Sequence, residues 1–126
     1  MPELTKEESA RFLRNVLLSE HTTIMVNNKL IREVGLLPAA LLACLMDAEE
    51  VFERKQKSIS LDEEIKFFPA STSYISNRYL ISPEDQKAII KVLVKFGLIK
   101  TTLIGTPLKR FICINWGNLE KLLIAP

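Results

Sequence analysis

The stretch from Ser71 to Asn115 leaves the backbone few paths. Ser71-Thr72-Ser73 offers hydroxyl N-caps for a helix reaching about Leu80, with Tyr74, Ile75, Tyr79 and Leu80 as its apolar residues. Ile81-Ser82-Pro83-Glu84-Asp85 comes next. Ser82 is placed as an N-cap. Pro83 takes the first helical position, where its missing amide hydrogen costs nothing, and Asp85 closes a capping box. The helix that follows is expected to reach Phe96 and stop at Gly97. Leu98–Leu103 and Arg110–Asn115 are apolar, β-branched runs, and Ile104-Gly105-Thr106-Pro107 between them carries turn residues, which is the pattern of a hairpin. The order is helix, tight turn, helix, hairpin.

The remaining elements are set by similar signals. Thr5-Lys6-Glu7-Glu8 is a capping box for an N-terminal helix over residues 4–19, with Phe12, Leu13, Val16 and Leu17 on one face. Thr22–Val26 is short and β-branched and reads as a strand, and Asn27-Asn28 as a turn or cap. Lys29–Val34 reads as a short helix stopped by Gly35. Pro38 opens the next helix, through Ala39–Glu53, whose part from Ala39 to Met46 is apolar all round and therefore central. Ser58–Asp62 and Lys66–Phe68 are extended, and a C-terminal helix spans residues 118–124. The expected fold class is α+β and mainly helical: one domain over residues 1–126, a winged helix-turn-helix with a core at 22–116 and added N-terminal and C-terminal helices.

Charge is distributed unevenly along this chain. Residues 86–119 hold six basic residues and no acidic one, whereas residues 1–85 carry a net charge of −4, so the overall +2 conceals a dipole. On helical geometry Ile89, Val92, Leu93 and Phe96 form the inner stripe of the second helix, and Lys87, Lys91 and Lys95 a ridge on the opposite side. Such a ridge, joined by Lys100, Lys109 and Arg110 of the hairpin, neutralises phosphates of double-stranded DNA and releases counterions. Base edges call for planar polar groups, for which Gln86, Asn77 and Arg78 are the candidates.

Several segments together resemble a known family. They are Gly35–Leu42, Phe67–Ser71, Tyr79–Ile89, Leu93-Val94-Lys95-Phe96-Gly97-Leu98-Ile99-Lys100-Thr101 and Arg110-Phe111-Ile112-Cys113-Ile114-Asn115. They resemble the winged-helix N-terminal domains of phage and plasmid replication initiators, including DnaD-like replisome organisers. The likeness covers about residues 22–116. It implies origin or operator DNA binding, in replication initiation or transcriptional control, often as a dimer. Recognition helices of that family tend to begin with basic residues; here Glu84 and Asp85 stand in those places.

Other chemistries find little support. His21 is the only histidine, Cys44 and Cys113 lack CxxC spacing, and no phosphate-cradling glycine loop is present, so neither a zinc set nor a nucleotide site is expected. Glu49 with Glu50, and Asp62 with Glu63 and Glu64, read as solvated acidic faces rather than metal ligands. No enzyme activity and no cofactor are expected. The two cysteines read as reduced core thiols of a cytoplasmic protein in a bacterial host, with no membrane span. A homodimer is expected, through the Phe12/Leu13/Val16/Leu17 face, through Leu119, Leu122, Leu123 and Ile124, or through Ile90 and Val94. The alternative function is a non-enzymatic interaction module that binds a host replication or regulatory protein.

Overall fold

The computed structural model describes residues 5–17, 24–55, 59–60 and 66–124. Its elements are α1 (Lys6–Leu17), α2 (Asn28–Val34), α3 (Leu36–Arg54), β1 (Ile59–Ser60), β2 (Lys66–Pro69), α4 (Thr72–Tyr79), α5 (Pro83–Lys95), β3 (Ile99–Ile104), β4 (Lys109–Ile114) and α6 (Trp116–Ile124). The fold is α+β and mainly helical, as expected. The strands lie in the order β1-β2-β4-β3 and every neighbouring pair is antiparallel.

Helix starts follow their caps. Thr5 Oγ1 accepts from the Glu8 amide at 3.1 Å, Asn27 Oδ1 from the Leu30 amide at 3.0 Å, Ser71 Oγ from the Tyr74 amide at 3.2 Å and Ser82 Oγ from the Asp85 amide at 3.1 Å. Each bond satisfies one of the amides that a first helical turn leaves unpaired. Helix α3 starts two residues before Pro38, which sits in that first turn, where an absent amide hydrogen is still harmless. Helix α6 also starts two residues early, because Asn115 Oδ1 accepts from the Asn118 amide at 3.0 Å. Ile24–Val26 joins no ladder among the described residues, contrary to the expected strand. Asn27 turns the chain straight into α2, and Met25 is left 91% exposed. The side chains of Phe12, Leu13, Val16 and Leu17, together with His21, Asp62, Glu63 and Glu64, lie outside the described residues.

Helix α3 is the centre of the core. Ala39, Leu41, Leu42, Leu45 and Ala48 are buried in one cluster with Ile75, Leu93, Leu98, Leu119 and the sheet residues Phe68, Ile99, Ile112 and Ile114. Burying one such leucine or isoleucine contributes about 1.5–3 kcal/mol. Leu119 is buried, and Leu122 and Leu123 pack on the same cluster, so most of α6's apolar face is taken up within the chain. Both cysteines are buried and free. Burial raises the Cys44 thiol to about 11, so Cys44 is expected to resist a thiol reagent at pH 8 in the native state and to react fully once unfolded; rapid labelling of the native protein would contradict that burial.

The inner stripe of α5 differs from expectation at both ends. It consists of Gln86, Ile89, Ile90 and Leu93, while Phe96 is 47% exposed. The helix ends at Lys95, and the chain leaves it through a Schellman turn. The Leu98 amide donates to the Leu93 carbonyl at 3.0 Å and the Gly97 amide to the Val94 carbonyl at 2.9 Å. Leu98, rather than Phe96, is buried in the core at this end of the helix. Gly97 has φ of 72°, and a Cβ there would meet Asn118 Nδ2 at 3.0 Å. A side chain at this position would be strained by the backbone conformation and would press on Asn118.

The turn between α4 and α5 stores strain. Leu80 adopts φ 59° and ψ 35° with its side chain 88% exposed. A leucine in the left-handed region gains nothing from burial to offset that conformation. Leu80→Gly is expected to stabilise the protein by about 0.5–1 kcal/mol in urea titration, and a loss of stability would show that the exposed side chain makes a contact of value.

Candidate nucleic-acid interface

Helix α5 is held in place by a buried polar lock. Gln86 is fully buried. Its Nε2 donates to the Ile81 carbonyl at 2.8 Å and to the Thr72 carbonyl at 3.2 Å, and its Oε1 accepts from Arg110 Nη2 at 2.8 Å. Arg110 Nε donates to the Ala70 carbonyl at 2.7 Å, and the Ala70 amide donates back to the Arg110 carbonyl at 3.0 Å. One network therefore joins the start of α4, the turn, the first turn of α5, and strand β4. Burial lowers the Arg110 pKa, but a guanidinium stays charged at any ordinary pH.

This lock corrects two of the expected DNA contacts. Gln86 has no free donor or acceptor surface to offer a base. Arg110 spends its guanidinium inside the protein rather than on a phosphate. The glutamine falls at the first place of the apolar stripe 86, 89/90, 93. That spacing was legible in the sequence as the mark of an inward-facing polar residue. Arg78 is also engaged: its Nε donates to the Tyr79 hydroxyl at 3.2 Å, and its Nη2 lies 3.5 Å from Asp47 Oδ2. Burial, helped by the bond that its hydroxyl donates to Asp47 Oδ2 at 2.6 Å, raises the Tyr79 phenol pKa. This chain of bonds ties the end of α4 to α3. Asn77, the remaining base-reading candidate, is exposed.

The outer face of α5 is as expected. Lys87, Lys91 and Lys95 are exposed, and no described carboxylate lies within ion-pair distance of any of them. Ala88 and Val94 share that face. Glu84 and Asp85 are exposed at the helix start, where they suit the helix dipole and oppose an approaching phosphate.

The hairpin lysines do not join this ridge. Partners across an antiparallel ladder share a face, and successive residues alternate. Ile99 pairs with Ile114, and Ile112 with Phe68; these residues define the inner face, which packs on the helices. Lys100 pairs with Cys113 and Lys109 with Ile104, both of the opposite parity. Lys100 and Lys109 are thus exposed on the outer side of the sheet. Of the three basic hairpin residues, Arg110 alone faces α5, and it is locked. The expected single electropositive surface is divided into a helix ridge and a separate pair on the sheet.

A groove that no sequence motif announces lies across α3. Ile24, Met25, Ala43, Met46 and Trp116 line this groove of about 640 Å³, with Asp47, Glu49, Glu50 and Glu53 along it. Trp116 Nε1 donates to both oxygens of Glu49, at 3.1 and 3.3 Å. Burial raises the Glu49 pKa, opposed in part by that bond. The sequence signal was the one tryptophan of the chain, placed beside the Asn115 cap.

Compared with known proteins, the chain matches no family model, no curated protein and no solved structure.

Proposed function

We propose that this chain binds double-stranded DNA non-enzymatically as a winged helix, with the lysine ridge of α5 laid against backbone phosphates. The single observation that carries this reading is a row of three exposed lysines, spaced by four and unpaired, on a helix that the Gln86–Arg110 lock fixes to the body. Meeting a polyanion there breaks no ion pair among the described residues and orders no new backbone, while counterions are released. Supporting it is the connectivity α3-β2-α4-α5-β3-β4, with β2-β4-β3 as neighbours in the sheet, an order compatible with the helix, turn, helix, hairpin plan of a winged helix. The resemblance to phage and plasmid initiators adds origin or operator binding, in replication initiation or transcriptional control, as the role proposed for this contact.

The geometry also sets the mode of contact. With Glu84 and Asp85 at the helix start and Gln86 buried, the first turn is unsuited to the major groove floor. Contact falls to the middle and end of α5, and most of the affinity is independent of sequence. Of the three base-reading candidates, Gln86 and Arg78 are engaged within the protein, and Asn77 is the one exposed without such a bond. Titration of a labelled random duplex by fluorescence anisotropy tests the reading. Binding at micromolar protein in low salt is expected, and no binding under those conditions would overturn it. Glu84→Gln removes one repelling charge and is expected to tighten duplex binding by roughly threefold to tenfold in the same titration. Unchanged affinity would place Glu84 away from the DNA.

A further inference from the structure

The groove beside Trp116 sets exposed apolar side chains next to carboxylates. Its floor is apolar, with Met25 91% exposed and Trp116 49% exposed. Four carboxylates accompany it. Asp47 is engaged by Tyr79 and Arg78. Glu50 and Glu53 face Arg54 and Lys66 at 3.7 and 3.9 Å, in pairs so exposed that they exchange partners at little cost. Glu49 has no basic group within ion-pair distance among the described residues, and its two oxygens are held by the indole N–H. An oriented carboxylate next to an exposed indole face, with thioether side chains alongside, suits an ammonium group and its methylene stem.

The chain itself carries the complementary surface. The outer face of α5 presents Lys87, Lys91 and Lys95, with Val94 45% exposed among them. No acidic residue occurs between Gln86 and Leu119. The groove and the ridge share no residue, so one copy can offer both at once. We propose that copies of this chain associate head to tail, the α5 ridge of one seated in the Trp116 groove of the next. Such a contact is heterologous: each copy has one donor surface and one acceptor surface, and the assembly grows until it closes or stops. Because the ridge is also the surface assigned to DNA, duplex and neighbouring copy compete for it. That competition rests on the proposed function; the association itself does not.

Sedimentation velocity of the full chain tests the proposal. At about 50 mM salt the weight-average mass is expected to climb with protein concentration, and at about 500 mM to fall to that of the monomer, since exposed charge pairs are screened. Glu49→Lys, and separately Glu50→Lys with Glu53→Lys, spoil the groove; Lys91→Glu spoils the ridge. Each variant alone is expected to be monomeric at low salt. A mixture of Glu49→Lys with Lys91→Glu retains one intact groove and one intact ridge, and is expected to give a complex of two chains and nothing larger. The exposed pair Glu50→Lys with Glu53→Lys serves in that mixture if Glu49→Lys fails to fold. A wild-type chain that stays monomeric at low salt overturns the proposal, as does a mixture with no complex. Variants that associate as the wild type does also overturn it. The groove variants are expected to keep duplex binding while Lys91→Glu weakens it several-fold. Association without any duplex binding would sink the DNA reading and leave this one standing.

Discussion

Gln86→Ala is expected to destabilise the fold by about 3 kcal/mol, near the top of the usual range for one substitution. The side chain is fully buried and makes three hydrogen bonds, to Ile81, Thr72 and Arg110. Truncation leaves two carbonyls without that donor and a half-buried guanidinium without its acceptor. An unsatisfied buried polar group costs about 1–3 kcal/mol, and a charged one more. Arg110→Lys is expected to lose almost as much as Arg110→Ala, because the lock uses two nitrogens of one planar fork, Nε on Ala70 and Nη2 on Gln86. Urea titration of the two alanine variants and their double mutant completes the check. Coupling of about 1–2 kcal/mol is expected between positions 86 and 110. Additive effects would mean that the two residues act separately and that α5 is held by apolar packing alone.

Reversal of the ridge, Lys87→Glu with Lys91→Glu and Lys95→Glu, is expected to weaken duplex binding by at least about a hundredfold at low salt. Each lysine that meets a phosphate releases close to one counterion, and each glutamate in its place repels the strand. All three residues are exposed on the outer face of α5, so the fold should tolerate the change within about 0.5 kcal/mol. Reversal of Lys100 and Lys109 is expected to have a much smaller effect, because those side chains stand on the other side of the sheet from α5. Equal losses from the two sets would mean that DNA wraps onto the sheet's outer side and that the ridge is only half of the footprint.

The fold was readable in the sequence wherever local chemistry decides the backbone. Ser71, Ser82, Asn27 and Thr5 cap helices as their side chains require, Pro83 opens α5, and Gly97 closes it. Central burial of α3 followed from a helix apolar on every side. The misreadings occurred where tertiary structure assigns a polar side chain to one of two environments. Gln86 and Arg110 looked like surface groups by type, yet they satisfy one another across 24 positions of chain. A single sequence does not announce that pairing. Strand parity was equally silent. Lys100 and Lys109 share the sign of the α5 lysines, but the face they occupy depends on which hairpin residues meet Phe68 of β2. The groove at Trp116 brings together α3, the run before α2 and the start of α6, three segments with no common motif.

We propose that phosphates meet the α5 ridge. The most direct measurement is the salt dependence of duplex affinity, taken side by side for the wild type, a ridge variant (Lys87→Gln, Lys91→Gln, Lys95→Gln) and a hairpin variant (Lys100→Gln, Lys109→Gln). Three phosphate contacts give the wild type a log–log slope of roughly −2.7. The ridge variant is expected to bring that slope close to zero, and the hairpin variant to leave it near the wild-type value. A ridge variant with an undiminished slope would contradict the claim outright.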